Sequence, residues 1–305
     1  MKADILIGDA IERLRDQADS FARCCVTSPP YWRLRDYGVA GQFGLEDSPE
    51  EYISRMVAVF REIRRVLSDD GTLWVNVGDS YAAGGKGGGG SYMLDRKDAA
   101  WAGKSKANGF NPAPSGMKAK DLVGIPWMLA FALRADGWYL RQDIIWSKPN
   151  PMPESVTDRC TKAHEYLFLM SKSSRYYFDA EAISEPRSTQ RESHGNEPAE
   201  SVKRNRRSVW EIATQPYSEA HFATYPEKLA EACILAGTKE GDTVIDPFCG
   251  SGTTGVVSLR HNRNFVGIEL NPDYGVLAER RMKGAVPWFS CEDVTVDSIG
   301  RPCAG

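Results

Sequence analysis

Two short runs in this chain carry residue types that could do chemistry. Near the N-terminus stands Thr27-Ser28-Pro29-Pro30-Tyr31-Trp32. Consecutive prolines fix φ and lack an N–H, so nearby carbonyls project into a cleft with no local donor competing for them. Ser28 and the Pro29 carbonyl can then accept hydrogen bonds from an exocyclic amine, and Tyr31 offers a ring face for stacking. An aryl-type amine is a poor nucleophile because its lone pair is delocalised into the ring. Accepting bonds from its protons draws the nitrogen toward tetrahedral geometry and frees that pair.

The second run is Asp246-Pro247-Phe248-Cys249-Gly250-Ser251-Gly252-Thr253-Thr254, followed by Gly255. Glycines let a backbone turn tightly and approach a ligand closely. Glu269 ends the next apolar stretch, where a carboxylate suits the hydroxyls of a ribose. Read literally, the glycines form Gly-x-Gly-x-x-Gly, so a nicotinamide dinucleotide and hydride transfer compete with other nucleoside cofactors. Glycine spacing alone does not choose between them. The plain structural alternatives are Phe248 as a core aromatic and Asp246 as a strand-end cap.

Both runs need strands to hold them. Segments rich in β-branched and aromatic residues predict strands over 4–8, 21–27, 72–77, 139–146, 166–170, 243–246 and 264–269. Amphipathic stretches between them give an α/β pattern with a mostly parallel sheet. The clearest helix begins at Ser48, where Ser48-Pro49-Glu50-Glu51 supplies an N-cap, a first-turn proline and a capping-box glutamate. Ile53, Met56, Val57, Phe60, Ile63 and Leu67 then recur at helical spacing, as a core stripe does. Further helices are expected after Pro226, Thr253 and Pro272, the last capped by Asn271.

Composition narrows the class. With 42% hydrophobic and 26% charged residues in 305, the chain reads as globular rather than disordered. It holds no apolar run long enough for a membrane span and no signal-peptide core, so a cytoplasmic location is expected. Seven cysteines without a Cys-x-x-Cys pair, beside four scattered histidines, predict free thiols and no metal site. A net charge of -3 means that any nucleic-acid surface must be a local patch.

Two such patches stand out. Residues 84–120 are glycine-rich and carry Lys86, Arg96, Lys97, Lys104, Lys106 and Lys118, reading either as a solvated loop or as an arm closing over a phosphate backbone. Residues 184–210 are polar and contain Arg187, Arg191, Lys203, Arg204, Arg206 and Arg207. This second segment is either ordinary solvated surface or a partner-reading insertion.

The flanking Asp246-Pro247-Phe248-Cys249 makes the glycine run resemble the methionine-pocket motif of S-adenosylmethionine-dependent methyltransferases. Thr27-Ser28-Pro29-Pro30-Tyr31-Trp32 resembles the catalytic motif of DNA amino-methyltransferases, which act on N4 of cytosine or N6 of adenine. Because the catalytic run precedes the cofactor run, the chain is similar to the β group of that family. The resemblance implies a circularly permuted class I methyltransferase fold, a Rossmann-like sheet of seven strands with helices on both faces and small inserted DNA-recognition segments. Strands 243–246 and 264–269 would be the first two of that sheet, 4–8 the third and 21–27 the fourth.

Site residues follow from the same resemblance. It implies Ser28, Pro29, Pro30 and Tyr31 as catalytic, and S-adenosylmethionine held by Asp246, Pro247, Phe248, Gly250, Ser251, Gly252, Thr253 and Glu269. Asp9 would meet the adenine of the cofactor, and Ala223 and Thr224, within His221-Phe222-Ala223-Thr224-Tyr225-Pro226, would wrap its methionine end. Trp32, Asp79 of Gly78-Asp79-Ser80-Tyr81, and Lys148 and Asn150 of Trp146-Ser147-Lys148-Pro149-Asn150-Pro151 would line the target-base pocket. The domain order is then a catalytic part over 1–83, the loop over 84–120, a continuation over 121–183, a target-recognition segment over 184–210 and the cofactor part over 211–305.

The implied reaction is direct methyl transfer to a base flipped from duplex DNA. A serine opening the motif looks more like the N4-cytosine members, with N6-adenine as the alternative. Cytosine C5 methylation would need a cysteine nucleophile after a proline, and Pro302-Cys303 sits in a polar tail. A catalytically silent nucleic-acid binder would not need the cofactor loop. The recognition sequence, a cognate restriction endonuclease and the choice of monomer or homodimer are left open.

Overall fold

The structure is a computed structural model that describes residues 1–82, 116–186, 203–215, 225–286 and 294–297. In chain order its elements are β1 (Ala3–Ile7), α1 (Ala10–Arg15), β2 (Ala22–Thr27), α2 (Pro49–Val66), β3 (Leu67–Val77), α3 (Ile125–Ala135), β4 (Tyr139–Ser147), β5 (His164–Ser171), β6 (Glu185–Pro186), β7 (Lys203–Arg204), β8 (Val209–Glu211), α4 (Glu227–Gly237), β9 (Thr243–Asp246), α5 (Thr253–Arg260), β10 (Asn264–Glu269), α6 (Pro272–Ala285) and β11 (Val294–Asp297).

Among the described residues the main sheet runs β11-β1-β10-β9-β2-β3-β5-β4-β8. Its middle seven strands are those expected from the sequence. Only β5 is antiparallel to its neighbours β3 and β4; every other pairing in the sheet is parallel. The sheet is thus wider than the expected seven, because β8 and β11 extend its edges with runs of three and four residues. Runs that short give no readable alternation. β6 and β7 form a separate antiparallel pair of two-residue strands.

From β9 the chain winds outward through α5, β10 and α6 on one side, and from β2 through α2 and β3 on the other. β2 and β9 are hydrogen-bonded neighbours, so the winding reverses between them. In open α/β sheets that reversal leaves a crevice at the carboxyl ends of the two strands.

The two faces are buried by different helices. Leu229 and Ala230 of α4, Val256 and Val257 of α5, and Ala278 and Met282 of α6 pack on one face. Leu14 of α1, Met56 and Phe60 of α2, and Leu129 and Leu133 of α3 pack on the other. α2 starts where the sequence places it, with Ser48 Oγ accepting from Glu51 N at 3.1 Å. Glu51 reaches back to Asp47 N at 3.3 Å rather than to the cap itself. Its buried stripe also takes in Tyr52 and Val59. Each large apolar side chain there is worth about 1.5–3 kcal/mol of burial. α1 and α3 are not readable from periodicity: α1 has six residues, and α3 is apolar almost all round.

Candidate active site

The two motif runs meet at the reversal point. Thr27, the last residue of β2, donates from Oγ1 to Asp246 Oδ1, the last residue of β9, at 2.6 Å. Asp246 also accepts from Phe248 N at 3.0 Å, Thr254 Oγ1 at 2.7 Å and Tyr225 OH at 3.4 Å. It is 1% exposed. Burial pushes its carboxyl above the ordinary Asp value, opposed by the bonds from Thr27 and Thr254. These bonds tie its carboxylate to both motif runs, so that Asp246 shapes the loop that follows.

That loop turns through Gly250 at φ +53° and Gly252 at φ +81°. A Cβ on Gly252 would lie 2.8 Å from that of Ala278, so the glycine also lets α5 start hard against α6. Gly250 N donates to Glu269 Oε2 and Asn271 N to Glu269 Oε1, both at 2.8 Å. Burial pushes the Glu269 carboxyl up to about 7 against the pull of those two N–H groups. Pro247 is buried, and Phe248 is half-buried with its ring edge-on to Phe43 at 5.5 Å. Asp9 is at the carboxyl end of β1, beside Gly8, whose N–H bonds to Glu269 O at 2.9 Å. Asp9 Oδ1 accepts from Ile11 N and Glu12 N and so caps α1.

Several residues of this crevice escaped the sequence reading. Arg281 of α6 donates from Nη1 to Ser251 O and Ser251 Oγ, each at 2.7 Å, and to Thr253 Oγ1 at 3.2 Å. Nothing in the sequence marks this arginine off from others on helices. Tyr37 and Tyr274 feel the Glu269 charge, and Arg35 lies near both tyrosines. Burial raises the Tyr37 phenol with Arg35 opposing, and burial pushes Tyr274 up to about 12 with Tyr37 and Glu269 adding.

On the β2 side Pro29 is buried, and Pro30 O accepts from Tyr52 OH at 2.9 Å. Tyr31 OH donates to Glu165 Oε2 at 2.6 Å and lies 3.4 Å from Ser28 Oγ. Lys148 Nζ pairs with the other oxygen of Glu165. A Cβ on Gly78 would stand 2.5 Å from the Tyr31 ring, so this glycine makes room for it. Burial raises the Tyr31 phenol well above its ordinary value, with the Glu165 charge adding.

Other expected pocket residues sit differently. Trp32 is 2% exposed beneath the motif, and its indole N–H donates to Glu46 O at 3.0 Å. Asp79 caps α3, accepting from Gly124 N and Ile125 N, while its carbonyl accepts from Lys162 Nζ at 3.0 Å. Asn150 is exposed and ties down Thr214 N. In the basic run Lys203 is exposed, Arg204 and Arg207 both bond to Glu185 Oε1, and Arg206 lies 4.3 Å over the Trp210 ring. Part of that run is thus neutralised within the fold. Lys86, Arg187, Arg191, Ala223, Thr224 and Cys303 lie outside the described residues.

The family profile described as DNA methylase, covering N6 and N4 enzymes, matches residues 22–280. The chain belongs to this family of DNA methyltransferases. It is 51% identical to the type II methyltransferase M.Cfr9I of Citrobacter freundii over 92% of this chain and 88% of that protein. To M.SmaI of Serratia marcescens it is 50% identical, over 91% of this chain and 90% of that one. Among solved structures, the cytosine-N4-specific PvuII DNA methyltransferase superposes with a TM-score of 0.65 at 20% identity, over 92% of this chain and 86% of that one. A putative DNA modification methylase of Thermus thermophilus in complex with S-adenosyl-L-methionine gives 0.62 at 25% identity, over 97% and 100%. The fold is therefore the permuted class I methyltransferase fold, and family membership removes the oxidoreductase alternative.

Proposed function

We propose that this chain is a site-specific type II DNA methyltransferase that moves a methyl group from S-adenosylmethionine to N4 of a cytosine flipped out of duplex DNA. The observation that carries the reading is the Thr27–Asp246 hydrogen bond, which sets the Ser28-Pro29-Pro30-Tyr31 run directly against the glycine loop. Identity of 51% to a type II methyltransferase over nearly the whole chain supports it.

The crevice fits the cofactor by its donor set. A half-buried carboxylate at Glu269 suits ribose hydroxyls, Phe248 and Tyr274 suit an adenosine body, and the backbone of Gly250–Gly252 leaves room for the methionine end. When bound, the cofactor supplies a methyl group on a positively charged sulfur, ready for attack by a neutral amine. The protein does the rest. Ser28 and the Pro29 carbonyl accept hydrogen bonds from the exocyclic amine and turn its lone pair toward the methyl; as the nitrogen–carbon bond forms and the sulfur–methyl bond breaks, the amine gives up one proton to solvent. Tyr31 stacks on the base, and most of the rate comes from holding amine and methyl in line. Extrusion of the base costs a few kcal/mol, returned by stacking and by contacts to the phosphates.

In this reading the exposed Lys203 meets the phosphate backbone, Arg204, Arg206 and Arg207 reach it only by leaving their partners Glu185 and Trp210, and Lys86, Arg187 and Arg191 are further candidates. The reading includes a cytoplasmic location, a cognate restriction endonuclease directed to the same duplex, and action as a monomer or homodimer. Mass spectrometry of nucleosides from duplex DNA treated with the protein and labelled cofactor tests it. Labelled N4-methylcytosine is expected. Labelled N6-methyladenine would overturn the choice of base, and no labelled nucleoside would overturn the activity.

A further inference from the structure

Three polar side chains surround the phenol of Tyr31. Its oxygen lies 2.6 Å from Glu165 Oε2, 3.2 Å from Asn76 Oδ1 and 3.4 Å from Ser28 Oγ. The Asn76 amide is oriented by its own donation from Nδ2 to Tyr166 O at 3.2 Å, so its oxygen is the atom turned to Tyr31. Glu165 pairs on its far side with Lys148 Nζ, which itself lies 4.3 Å over the Trp146 ring.

Hydrogen-bond polarity then follows from counting protons. A phenol has one, and two of its three neighbours are oxygens that only accept. The proton goes to Glu165, the nearer and charged partner, because charge-assisted bonds are the stronger ones. What Tyr31 has left toward Ser28 is a lone pair. Ser28 can place its own proton there, across a 3.4 Å contact longer than an ordinary O–H···O bond, and so present lone pairs on its remaining side. A free serine hydroxyl rotates and can meet a ligand as donor or acceptor. This one is set as an acceptor before any base arrives, and apo contacts of this kind tighten once the site is loaded.

We propose that Glu165 is a positioning residue which, through Tyr31, fixes the direction of the Ser28 hydroxyl so that Ser28 meets the target amine as an acceptor. The proposal rests on the amino-methyltransferase reading above. It gives the Lys148–Glu165 pair a purpose other than contact with the base. It also explains why Gly78 is needed: the ring must lie where its oxygen reaches both Ser28 and Glu165.

Glu165→Gln is the direct test, since the amide can turn its NH2 to the phenol and reverse the chain. Single-turnover methyl transfer is expected to fall about tenfold or more, with the Kd values for S-adenosylmethionine and duplex unchanged. In a Ser28→Ala background the same change is expected to add nothing, because the two residues act as one unit. Tyr31→Phe keeps the ring, releases Ser28, and is expected to match Glu165→Gln. Wild-type rates in Glu165→Gln or Tyr31→Phe would overturn the proposal, as would an undiminished effect of Glu165→Gln on top of Ser28→Ala. Absence of transfer by the unaltered protein to either cytosine or adenine would instead overturn the amino-methyltransferase reading, and the proposal with it.

Discussion

Glu269 closes β10 with one oxygen on Gly250 N–H and the other on Asn271 N–H, and burial lifts its carboxyl from an ordinary 4.5 to about 7. Ribose hydroxyls donate to the charged form and favour it, so cofactor binding should lower that value and release a proton. Affinity should then follow the ionised fraction of Glu269, tightening about tenfold between about pH 6 and about pH 8. Stability of the ligand-free protein runs the other way. Its folded value lies above the unfolded one, so the folded state holds the extra proton between 4.5 and about 7. Stability present at the acid end of that window is lost as pH rises through it, in all about 3 kcal/mol. Calorimetric titration with S-adenosylmethionine, in two buffers of different ionisation heat, reads the affinity and the proton release. Urea melts of the ligand-free protein read the opposing trend. Glu269→Gln has no proton to lose and should flatten both profiles. A flat wild-type affinity profile, or an equally steep one in Glu269→Gln, would refute the reasoning.

Three further substitutions probe the parts around it. Gly78→Ala puts a Cβ 2.5 Å from the Tyr31 ring; displacing that ring should cost about 100-fold in single-turnover transfer while cofactor Kd stays put. Arg281→Ala removes charge-assisted bonds to Ser251 and Thr253 and should weaken cofactor binding about 10- to 100-fold, leaving the rate at saturating cofactor near wild type. Thr27→Val withdraws a donor from the buried Asp246 carboxylate at nearly constant volume, and a urea melt should show a loss of about 1–3 kcal/mol. A melt superimposable on wild type would show that the two motif strands are held together without that bond.

What the sequence disclosed and what it hid divide along a physical line. The seven central strands were legible because each is a run of β-branched and aromatic residues long enough to show its type, and Asp246 and Glu269 were legible as acidic residues closing two of them, the first just ahead of the glycine run. The burial of Trp32 could not be read from its adjacency to Tyr31. The chain turns between them, and the indole is drawn inward by a carbonyl at Glu46 that no local pattern announces. Glu165 and Arg281 were invisible for the opposite reason. Each is an ordinary charged residue within a regular element, and its meaning lies in what another part of the chain places opposite it, Tyr31 in one case and Ser251 in the other.

The inverted order of the two motifs acquires a mechanical sense from the same contacts. Thr27 and Asp246 are 219 residues apart in sequence, yet β2 and β9 are neighbours in the sheet. Beyond β9, the ladder from β10 to β1 joins residues near opposite ends of the chain, Phe265 beside Ala3 and Glu269 beside Ile7. Strand order around the reversal point therefore decides where amine site and cofactor loop meet, and the order in which the chain visits those strands does not. Both pairings close long loops, which delays them relative to local structure. The crevice is then assembled by long-range contacts, so a change that weakens the β2–β9 junction, such as Thr27→Val, should act on stability and on the site together rather than on either alone.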